Sequence, residues 1–264
     1  MVLATFSIMT AKEYRRIVSL APSVTQSIYS LGAENMIVGC TSYCKEAVSN
    51  GKTVVASVMK INIEMLVSTK PDLVIASDFT NEKDIKTIRK FGIEVRKMKT
   101  PRSYEEICSQ FIELGKWTGH VRNAEDIVRK SRERVSRIIN DSKKSKPLTI
   151  FFQIGADPVY AVIPNMFMND YIKFVNAKNM ASSLTKGRIT REFVINGNPD
   201  CIFITTMGKI GESEAKEWRK FKDMKAVKDG RIYIIDSEKA CIPTPFTFAE
   251  ALEFIYEHTK NKTL

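Results

Sequence analysis

The chain alternates between short runs of consecutive apolar residues and longer segments in which apolar residues recur every three or four positions. The runs RIVSL at 16–20, LVIAS at 73–77 and CIFIT at 201–205 are typical of strands buried on both faces. The segment 104–117 carries its apolar residues on one helical face and predicts an amphipathic helix. Strands that alternate with helices in this way predict an α/β protein with parallel sheets.

One helix–turn–strand pattern occurs twice. Residues 61–77 read INIEMLVSTKPDLVIAS and residues 189–205 read ITREFVINGNPDCIFIT, so Pro71-Asp72 aligns with Pro199-Asp200 without a gap. A second pair of segments, EKDIKTIRKF at 82–91 and ESEAKEWRKF at 212–221, follows in the same order. Two ordinary helix–turn–strand units can look alike by chance, but the repeated order and spacing favour two related lobes.

A long basic segment lies between the two copies of this pattern. Residues 122–146 carry nine basic and four acidic side chains, and their apolar residues keep helical spacing. We therefore expect two Rossmann-like α/β lobes with parallel sheets, joined by a single long helix. The predicted boundaries are 12–118 for the N-terminal lobe, 119–146 for the interlobe helix and 147–264 for the C-terminal lobe.

The net charge of +11 suggests an acidic partner such as nucleic acid. Many of the basic residues, however, lie on the one long helix, and no aromatic residues interleave them as in a single-strand binding surface. We therefore expect no nucleic-acid partner; the alternative, a DNA-binding protein, predicts an affinity that falls steeply with salt. No apolar run approaches the 18 residues of a membrane span, so we expect a protein that is at most peripheral to a membrane.

Enzyme signatures are mostly absent from the sequence. We find no GxxxxGKS or GxxxxGKT phosphate loop, no strand-linked GxGxxG, no GxSxG and no HExxH. The two histidines, His120 and His258, lie away from the loops that would form a site, so neither is placed to activate Ser23. We expect no catalytic residue, no metal and no cofactor. A two-lobed α/β enzyme acting on a nucleotide or a sugar is the alternative.

The five cysteines are irregularly spaced and do not form a zinc-binding pattern. Cys40 and Cys44 are close enough in sequence to pair or to bind a soft ion, but two unpaired thiols at a strand end are the simpler interpretation. The sequence leaves open whether they pair.

Ligands of open α/β sheets bind beyond the carboxyl ends of the strands, and a cleft between two lobes would collect these ends from both. The loops at these ends supply aromatic and soft apolar side chains that suit a bulky planar ligand. Phe167 has the same character, but core packing explains it at least as well. The candidate ligand-binding residues are Ala21, Pro22, Ser23, Ser42, Tyr43, Met59 and Phe79 in the first half and Gly155, Tyr160, Met207, Lys239 and Phe246 in the second.

Glu82 and Glu212 are matched carboxylates at the starts of two predicted helices. The helix dipole favours a carboxylate there, so a capping role explains each residue by itself. Because the repeat makes them a pair, they are also candidates for two anchoring points of a basic partner. Glu214 is the alternative to Glu212 in the second lobe.

Several of these segments carry a resemblance to a known family. The segments RIVSLAPSVTQSIYSLGA at 16–33, VGCTSY at 38–43, the repeated stretch at 61–77 and AVKDGRIYIID at 226–236 resemble the solute-binding proteins of ABC importers for cobalamin and iron complexes. The resemblance covers nearly the whole chain and is closest to the cobalamin-binding members. It implies a class III periplasmic binding protein, which captures a cobalamin-like corrinoid or a ferric chelate in its interlobe cleft and delivers it to a membrane permease.

The resemblance also implies roles for individual residues. Ala21–Ser23, Tyr43 and Phe79 would contact the ligand from the first lobe, and Gly155, Tyr160 and the loop 239–246 from the second. Glu82 and a second-lobe glutamate would meet arginines of the permease. One departure is the absence of a tryptophan just before Asn62, which leaves another corrinoid, a ferric siderophore or haem open as the ligand. Four basic side chains are candidate contacts for an anionic chelate: Lys60, Arg188, Lys209 and Lys239.

The first ten residues, MVLATFSIMT, are apolar and small, and the polar chain opens at Lys12. This pattern is similar to the end of a trimmed secretory signal, with a native cytosolic N-terminus as the alternative. We expect an exported monomer in the periplasm or an equivalent extracytoplasmic space. The sequence leaves lipid anchoring open.

Overall fold

The computed structural model describes residues 14–57, 60–205 and 210–260, except for the side chain of Ile210. The predicted site residues Met59 and Met207, the candidate contact Lys209 and the segment interpreted as a trimmed signal lie outside the described residues. The chain divides into two compact units. The first unit comprises the described residues up to Thr100 together with Gln110–Glu125, and the second comprises Pro101–Ser109 together with the described residues from Asp126 onward.

The first unit contains a sheet of five parallel strands in the order β3-β2-β1-β4-β5. Its strands are β1 (Ile17–Ser19), β2 (Ile37–Thr41), β3 (Thr53–Ala56), β4 (Leu73–Ser77) and β5 (Glu94–Met98). Its helices are α1 (Pro22–Ser30), α2 (Lys45–Ser49), α3 (Ile63–Ser68) and α4 (Glu82–Lys90), while α5 (Tyr104–Trp117) and α6 (Val121–Ser142) have residues in both units. The central strands β1 and β4 are almost entirely buried, as their apolar runs predict.

The second unit contains a sheet in which β8, β6, β9 and β10 are parallel and β7 is antiparallel to β6. Its strands are β6 (Thr149–Ala156), β7 (Val159–Ala161), β8 (Lys178–Asn179), β9 (Cys201–Ile204) and β10 (Ile232–Ile234). Its helices are α7 (Asn169–Phe174), α8 (Arg191–Gly197), α9 (Ile210–Arg219), α10 (Lys225–Lys228), α11 (Ser237–Cys241) and α12 (Pro245–Thr259). Two α/β units, each with a mainly parallel sheet, confirm the predicted fold class. The strand β7 departs from it because only two residues join β6 to β7, and so short a connection can form only a hairpin.

The sequence repeat is reproduced in the hydrogen bonds of the two units. The carboxylate of Asp72 accepts from the backbone N–H groups of Arg15 at 2.8 Å and Arg16 at 3.0 Å. The carboxylate of Asp200 accepts from the N–H of Thr149 at 2.8 Å. Each aspartate also donates its own N–H, to the carbonyl of Arg16 or of Thr149, at 2.9 Å. In both units, therefore, the Pro-Asp turn fastens the repeated strand to the start of its neighbour, β1 or β6.

The last helix begins earlier than the sequence pattern predicts. The pattern predicts a loop over 241–247 and a helix from 248, but α12 starts at Pro245 and a short helix, α11, ends at Cys241. The side chains of Thr244 and Thr247 cap the helix reciprocally, and proline suits the first helical position. Phe246 thus lies in the first turn of a helix and not in a loop. Among the described residues, none of the helices combines the length and apolar character needed to cross a bilayer.

Candidate functional site

The carboxyl ends of three neighbouring strands meet at one edge of the first unit's sheet. The strands β2, β1 and β4 are adjacent and parallel, so the residues that follow them lie at the same edge. These are Ser42-Tyr43, Ala21–Ser23 and Phe79. The structure thereby brings together all the described candidates of the first half; we call this group the first-unit edge.

Two aromatic side chains of the first-unit edge are open to solvent. Tyr43 is 50% exposed and Phe79 is 89% exposed, whereas Ala21, Pro22 and Ser23 are half-buried. An aromatic ring this exposed has most of its apolar surface available to a ligand. The first-unit edge therefore offers two apolar ring surfaces beside a half-buried helix start.

Local hydrogen bonds hold both loops in place. The backbone N–H of Phe79 donates to the hydroxyl of Ser77 at 3.3 Å, and the N–H of Ser77 donates to the hydroxyl of Thr80 at 3.1 Å. In the other loop, the N–H of Tyr43 donates to the Thr41 hydroxyl at 3.3 Å. Hydroxyl side chains that bond nearby backbone groups are a common device of tight turns. Both rings therefore project from turns that are tied to the strand ends.

The second unit has a corresponding edge, built from β6, β9 and β10. Gly155 lies near the carboxyl end of β6 and pairs in register with Tyr160 of β7, so the two lie side by side. Lys239 lies in α11, after β10, and its ammonium group is 3.2 Å from the carboxylate of Glu250. This second-unit edge thus contains three described candidates of the second half.

Tyr160 occupies its position because residue 187 is glycine. A Cβ atom at Gly187 would lie 2.2 Å from Cε1 of Tyr160, so close that the ring would have to move. The ring rests on the glycine backbone and remains 37% exposed. Arg188 forms a β-bridge with Tyr160 and is exposed. The residue paired with Tyr160 is therefore cationic, which suits an anionic ligand.

Phe246 is 50% exposed, and the cationic side chain of Arg134 lies over its ring. The guanidinium carbon of Arg134 lies 5.4 Å from the ring centroid. Arg134 in turn binds Glu253 through two hydrogen bonds of 2.8 and 2.6 Å. These bonds hold the pKa of Glu253 below its usual value. Phe167, by contrast, is buried against Tyr171 and Phe248, so it belongs to the core.

Sequence reasoning missed a buried polar group beneath the second-unit edge. The amide nitrogen of Gln153 donates to the carbonyl of Gly155 at 2.9 Å and to the carboxylate of Glu214 at 2.8 Å, while its oxygen accepts from the indole of Trp218 at 2.7 Å. Arg191 contacts both oxygens of Glu214 at 2.8 Å. Gln153 therefore holds the end of β6 against α9. The available signal was a glutamine inside the apolar run IFFQI.

The three candidate docking carboxylates differ in their surroundings. Glu82 is the first residue of α4, is exposed, and lies 2.6 Å from the ammonium group of Lys97, whose hydrogen bond lowers the pKa of Glu82. Glu212 is exposed in the first turn of α9. Glu214 is only 6% exposed and is bound by Arg191 and Gln153, so its carboxylate is not available to a partner. Because the side chain of Glu214 points into the unit, the structure favours the exposed Glu212 over Glu214 as the docking candidate of the second lobe, and the docking role itself stays a prediction.

Comparison with known proteins shows the same family along almost the whole chain. The family model described as periplasmic binding protein matches residues 17–239. An ABC transporter substrate-binding lipoprotein of Bacillus subtilis (strain 168) is 30% identical over 238 residues, which are 86% of this chain and 74% of the relative. A vitamin B12-binding protein of Vibrio parahaemolyticus is 22% identical over 259 residues, 96% of this chain and 92% of the relative.

A solved structure leads to the same conclusion. A protein from Staphylococcus epidermidis, described as a possible iron-binding periplasmic solute-binding protein, superposes with a TM-score of 0.80 at 31% identity, over 95% of this chain and 100% of that chain. The matching family is a transport family and not an enzyme family. The protein therefore belongs to the periplasmic binding protein family, and its resemblance to the substrate-binding proteins of ABC importers is confirmed.

Proposed function

We propose that the protein captures a cobalamin-like corrinoid or a ferric chelate and delivers it to the permease of an ABC importer. The observation that carries this proposal is the pair of exposed rings, Tyr43 and Phe79, at the carboxyl edge of the first unit's parallel sheet. Aromatic faces match the flat, largely apolar surface of such a ligand. Relatives named for vitamin B12 binding and iron binding support the same ligand class.

A ferric siderophore or haem is the alternative ligand within this class. Arg188 beside Tyr160 in the second-unit edge favours a ligand that carries carboxylates. Neither histidine belongs to the first-unit edge or the second-unit edge: His120 directly precedes α6, and His258 lies in the last turn of α12. Haem held by a histidine is accordingly not part of the proposal.

We also propose that the protein has no catalytic activity, that it acts as a monomer and that it works outside the cytoplasm, bound to the membrane at most peripherally. The family to which it belongs is a transport family, and one relative is named as a lipoprotein. The two-lobed enzyme considered from the sequence would need a nucleophile with an adjacent base at one of the two edges. Export with removal of a signal peptide remains part of this proposal.

Ligand identity is tested by isothermal titration calorimetry of the purified protein with cyanocobalamin, ferric protoporphyrin and ferric complexes of catecholate and hydroxamate siderophores. One of these classes should bind saturably. Replacing Tyr43 or Phe79 by alanine should weaken that binding about tenfold or more, because each ring would lose a stacking contact. Absence of saturable binding by every class would contradict the proposed function.

Phe91 provides a matched control for the two aromatic substitutions. It is 57% exposed in the same unit but follows α4 and precedes β5, so it lies at the amino end of the sheet, opposite the first-unit edge. Phe91→Ala should leave the affinity unchanged. If Phe91→Ala weakens binding as much as Tyr43→Ala does, exposure of an aromatic ring and not its position is what matters.

Delivery to a permease is tested through the matched carboxylates. The double variant E82K/E212K should bind ligand normally but lose uptake in a transport assay with the cognate permease. The repeat supplies a second matched pair, Glu64 and Glu192, exposed in the first turns of α3 and α8. E64K/E192K should retain uptake. Equal loss of uptake in both double variants would show that overall charge, and not docking at Glu82 and Glu212, controls delivery.

A further inference from the structure

Two cysteines flank the loop that presents Tyr43. Cys40 lies in β2 and Cys44 directly precedes α2, and both are buried, at 0% and 4% exposure. They belong to one small cluster that also contains the fully buried Ala47, and Tyr29 packs against this cluster. The backbone N–H of Cys44 donates to the carbonyl of Thr41 at 3.0 Å, which forms a turn between the two cysteines of this cluster.

The surroundings of Cys44 stabilise a thiolate. Its sulfur lies 3.1 Å from the hydroxyl oxygen of Thr25 and 3.3 Å from that of Thr41. A hydrogen bond between the two thiols, followed by these hydroxyls, lowers the pKa of Cys44 to about 6 against the effect of burial. The same thiol–thiol hydrogen bond raises the pKa of Cys40, and burial adds to this. One thiol is therefore prepared to attack, and the other stays protonated beside it.

The remaining cysteines have no such arrangement. Burial raises the pKa of Cys108 and of Cys201 to about 11, and it also raises the pKa of Cys241. Each of the three is far along the chain from every other cysteine, and all five are described in the structure. Of the five cysteines, only Cys44 has a lowered pKa.

We propose that Cys40 and Cys44 form a reversible dithiol–disulfide pair, in which Cys44 is the attacking thiol and Cys40 is the resolving thiol. The oxidant is a disulfide, either a small molecule or the active-site disulfide of a thiol oxidase. The thiolate of Cys44 attacks one sulfur of the oxidant, breaks its S–S bond and releases the first thiolate. Cys40 then loses its proton and attacks the Cys44 sulfur, which releases the second thiolate. Both departing thiolates end as thiols, so two electrons pass from the protein to the oxidant.

Disulfide formation is tested with glutathione disulfide on the folded protein, followed by unfolding, alkylation with N-ethylmaleimide and trypsin digestion. No lysine or arginine lies between Arg16 and Lys45, so one peptide, 17–45, carries both cysteines. After oxidation this peptide should carry no alkyl group and be two hydrogens lighter, whereas Cys108 and Cys201 should be alkylated in full. Two alkyl groups on peptide 17–45 after oxidation would overturn the proposal.

Single variants assign the two roles. Cys40→Ser should accumulate a glutathione adduct on Cys44, because no second thiol can resolve it. Cys44→Ser should leave Cys40 unmodified, because the Cys40 thiol stays protonated. A stable adduct on Cys44 in the unsubstituted protein, or an adduct on Cys40 in Cys44→Ser, would refute the assignment. Circular dichroism melting curves of both variants identify any that fail to fold, and Cys201, equally buried, is the internal control in each sample.

The disulfide would enclose Thr41, Ser42 and Tyr43, so its effect on ligand capture rests on the proposed function. A closed loop has less conformational freedom to lose on binding, and oxidation should therefore tighten binding by about threefold to tenfold. Calorimetry of the reduced and the oxidised protein with the ligand found above measures this. Equal affinities would remove the link to binding, while the peptide analysis would still decide whether the disulfide forms.

Discussion

Replacing Glu214 tests the ion pair between Glu214 and Arg191 in the second unit. The variant Glu214→Gln keeps the shape of the side chain but removes the charge that faces Arg191. Arg191 would then keep a guanidinium group in the unit without its anionic partner. Glu212→Gln, only two residues away on α9 but exposed, is the matched control.

The size of the effect follows from the contacts. Arg191 lies 2.8 Å from both carboxylate oxygens of Glu214. Removing one partner of a fully buried ion pair costs about 3–5 kcal/mol, and hydrogen bonds to charged groups contribute about 1.5–3 kcal/mol. The Arg191 side chain is 28% exposed, so water can rehydrate part of its charge. We therefore expect a loss of about 2–3 kcal/mol in the free energy of unfolding, against at most about 0.5 kcal/mol for Glu212→Gln.

Urea denaturation in a Trp117→Phe background measures this loss for the second unit alone. The chain has two tryptophans, Trp117 in the first unit and Trp218 in the second, so the remaining fluorescence reports on the second unit. Circular dichroism followed in parallel checks the transition. A double-mutant cycle with Arg191→Met should give a coupling energy of at least about 1.5 kcal/mol. A coupling below about 0.5 kcal/mol would refute the assigned ion pair.

Three further predictions follow from the same structure. Gly187→Ala should cost about 1–3 kcal/mol of stability and weaken ligand binding, because the added Cβ displaces the ring of Tyr160; an unchanged melting temperature would contradict this. Asp72→Ala should destabilise the first unit by about 1–3 kcal/mol, and this loss should exceed the loss that Asp200→Ala causes in the second unit. The reason is that Asp72 accepts hydrogen bonds from two backbone N–H groups, whereas Asp200 accepts one. Urea denaturation followed by fluorescence compares the two losses. The rate at which Cys44 attacks glutathione disulfide should be half-maximal near pH 6, because a lowered pKa gives the thiolate at lower pH; a midpoint near 8.5, the value of a free cysteine, would exclude the lowered pKa.

Local sequence patterns predicted much of the framework. The helix predicted over 104–117 is present as α5 with the same bounds, and Gly32 ends α1 with a φ of +73°, where a residue without a side chain is favoured. The residues aligned by the repeat even cap equivalent helices: Asn62 accepts from a backbone N–H of α3, and Thr190 does the same for α8. Such features depend on residues within a few positions of one another, so they can be predicted from a single sequence.

The candidate site was predictable only in outline. Because chain order and strand direction determine which loops share an edge, the sequence could group Tyr43 with Phe79 before the strands were seen to be adjacent. It could not show that Glu214 is buried and that Glu212 is exposed, since both lie near the start of the same helix. That distinction depends on Gln153 and Arg191, which are 61 and 23 residues away along the chain.

The sequence by itself determined the two α/β halves, the loops that follow their strands and the family. Tertiary structure alone decided that Cys40 and Cys44 share one buried cluster, that Gly187 makes room for Tyr160 and that Gln153 fastens the end of β6 to α9. The physical reason is the range of the interactions. Hydrophobic periodicity and capping act between near neighbours, whereas burial, ion pairing and ring contacts depend on residues that only folding brings together.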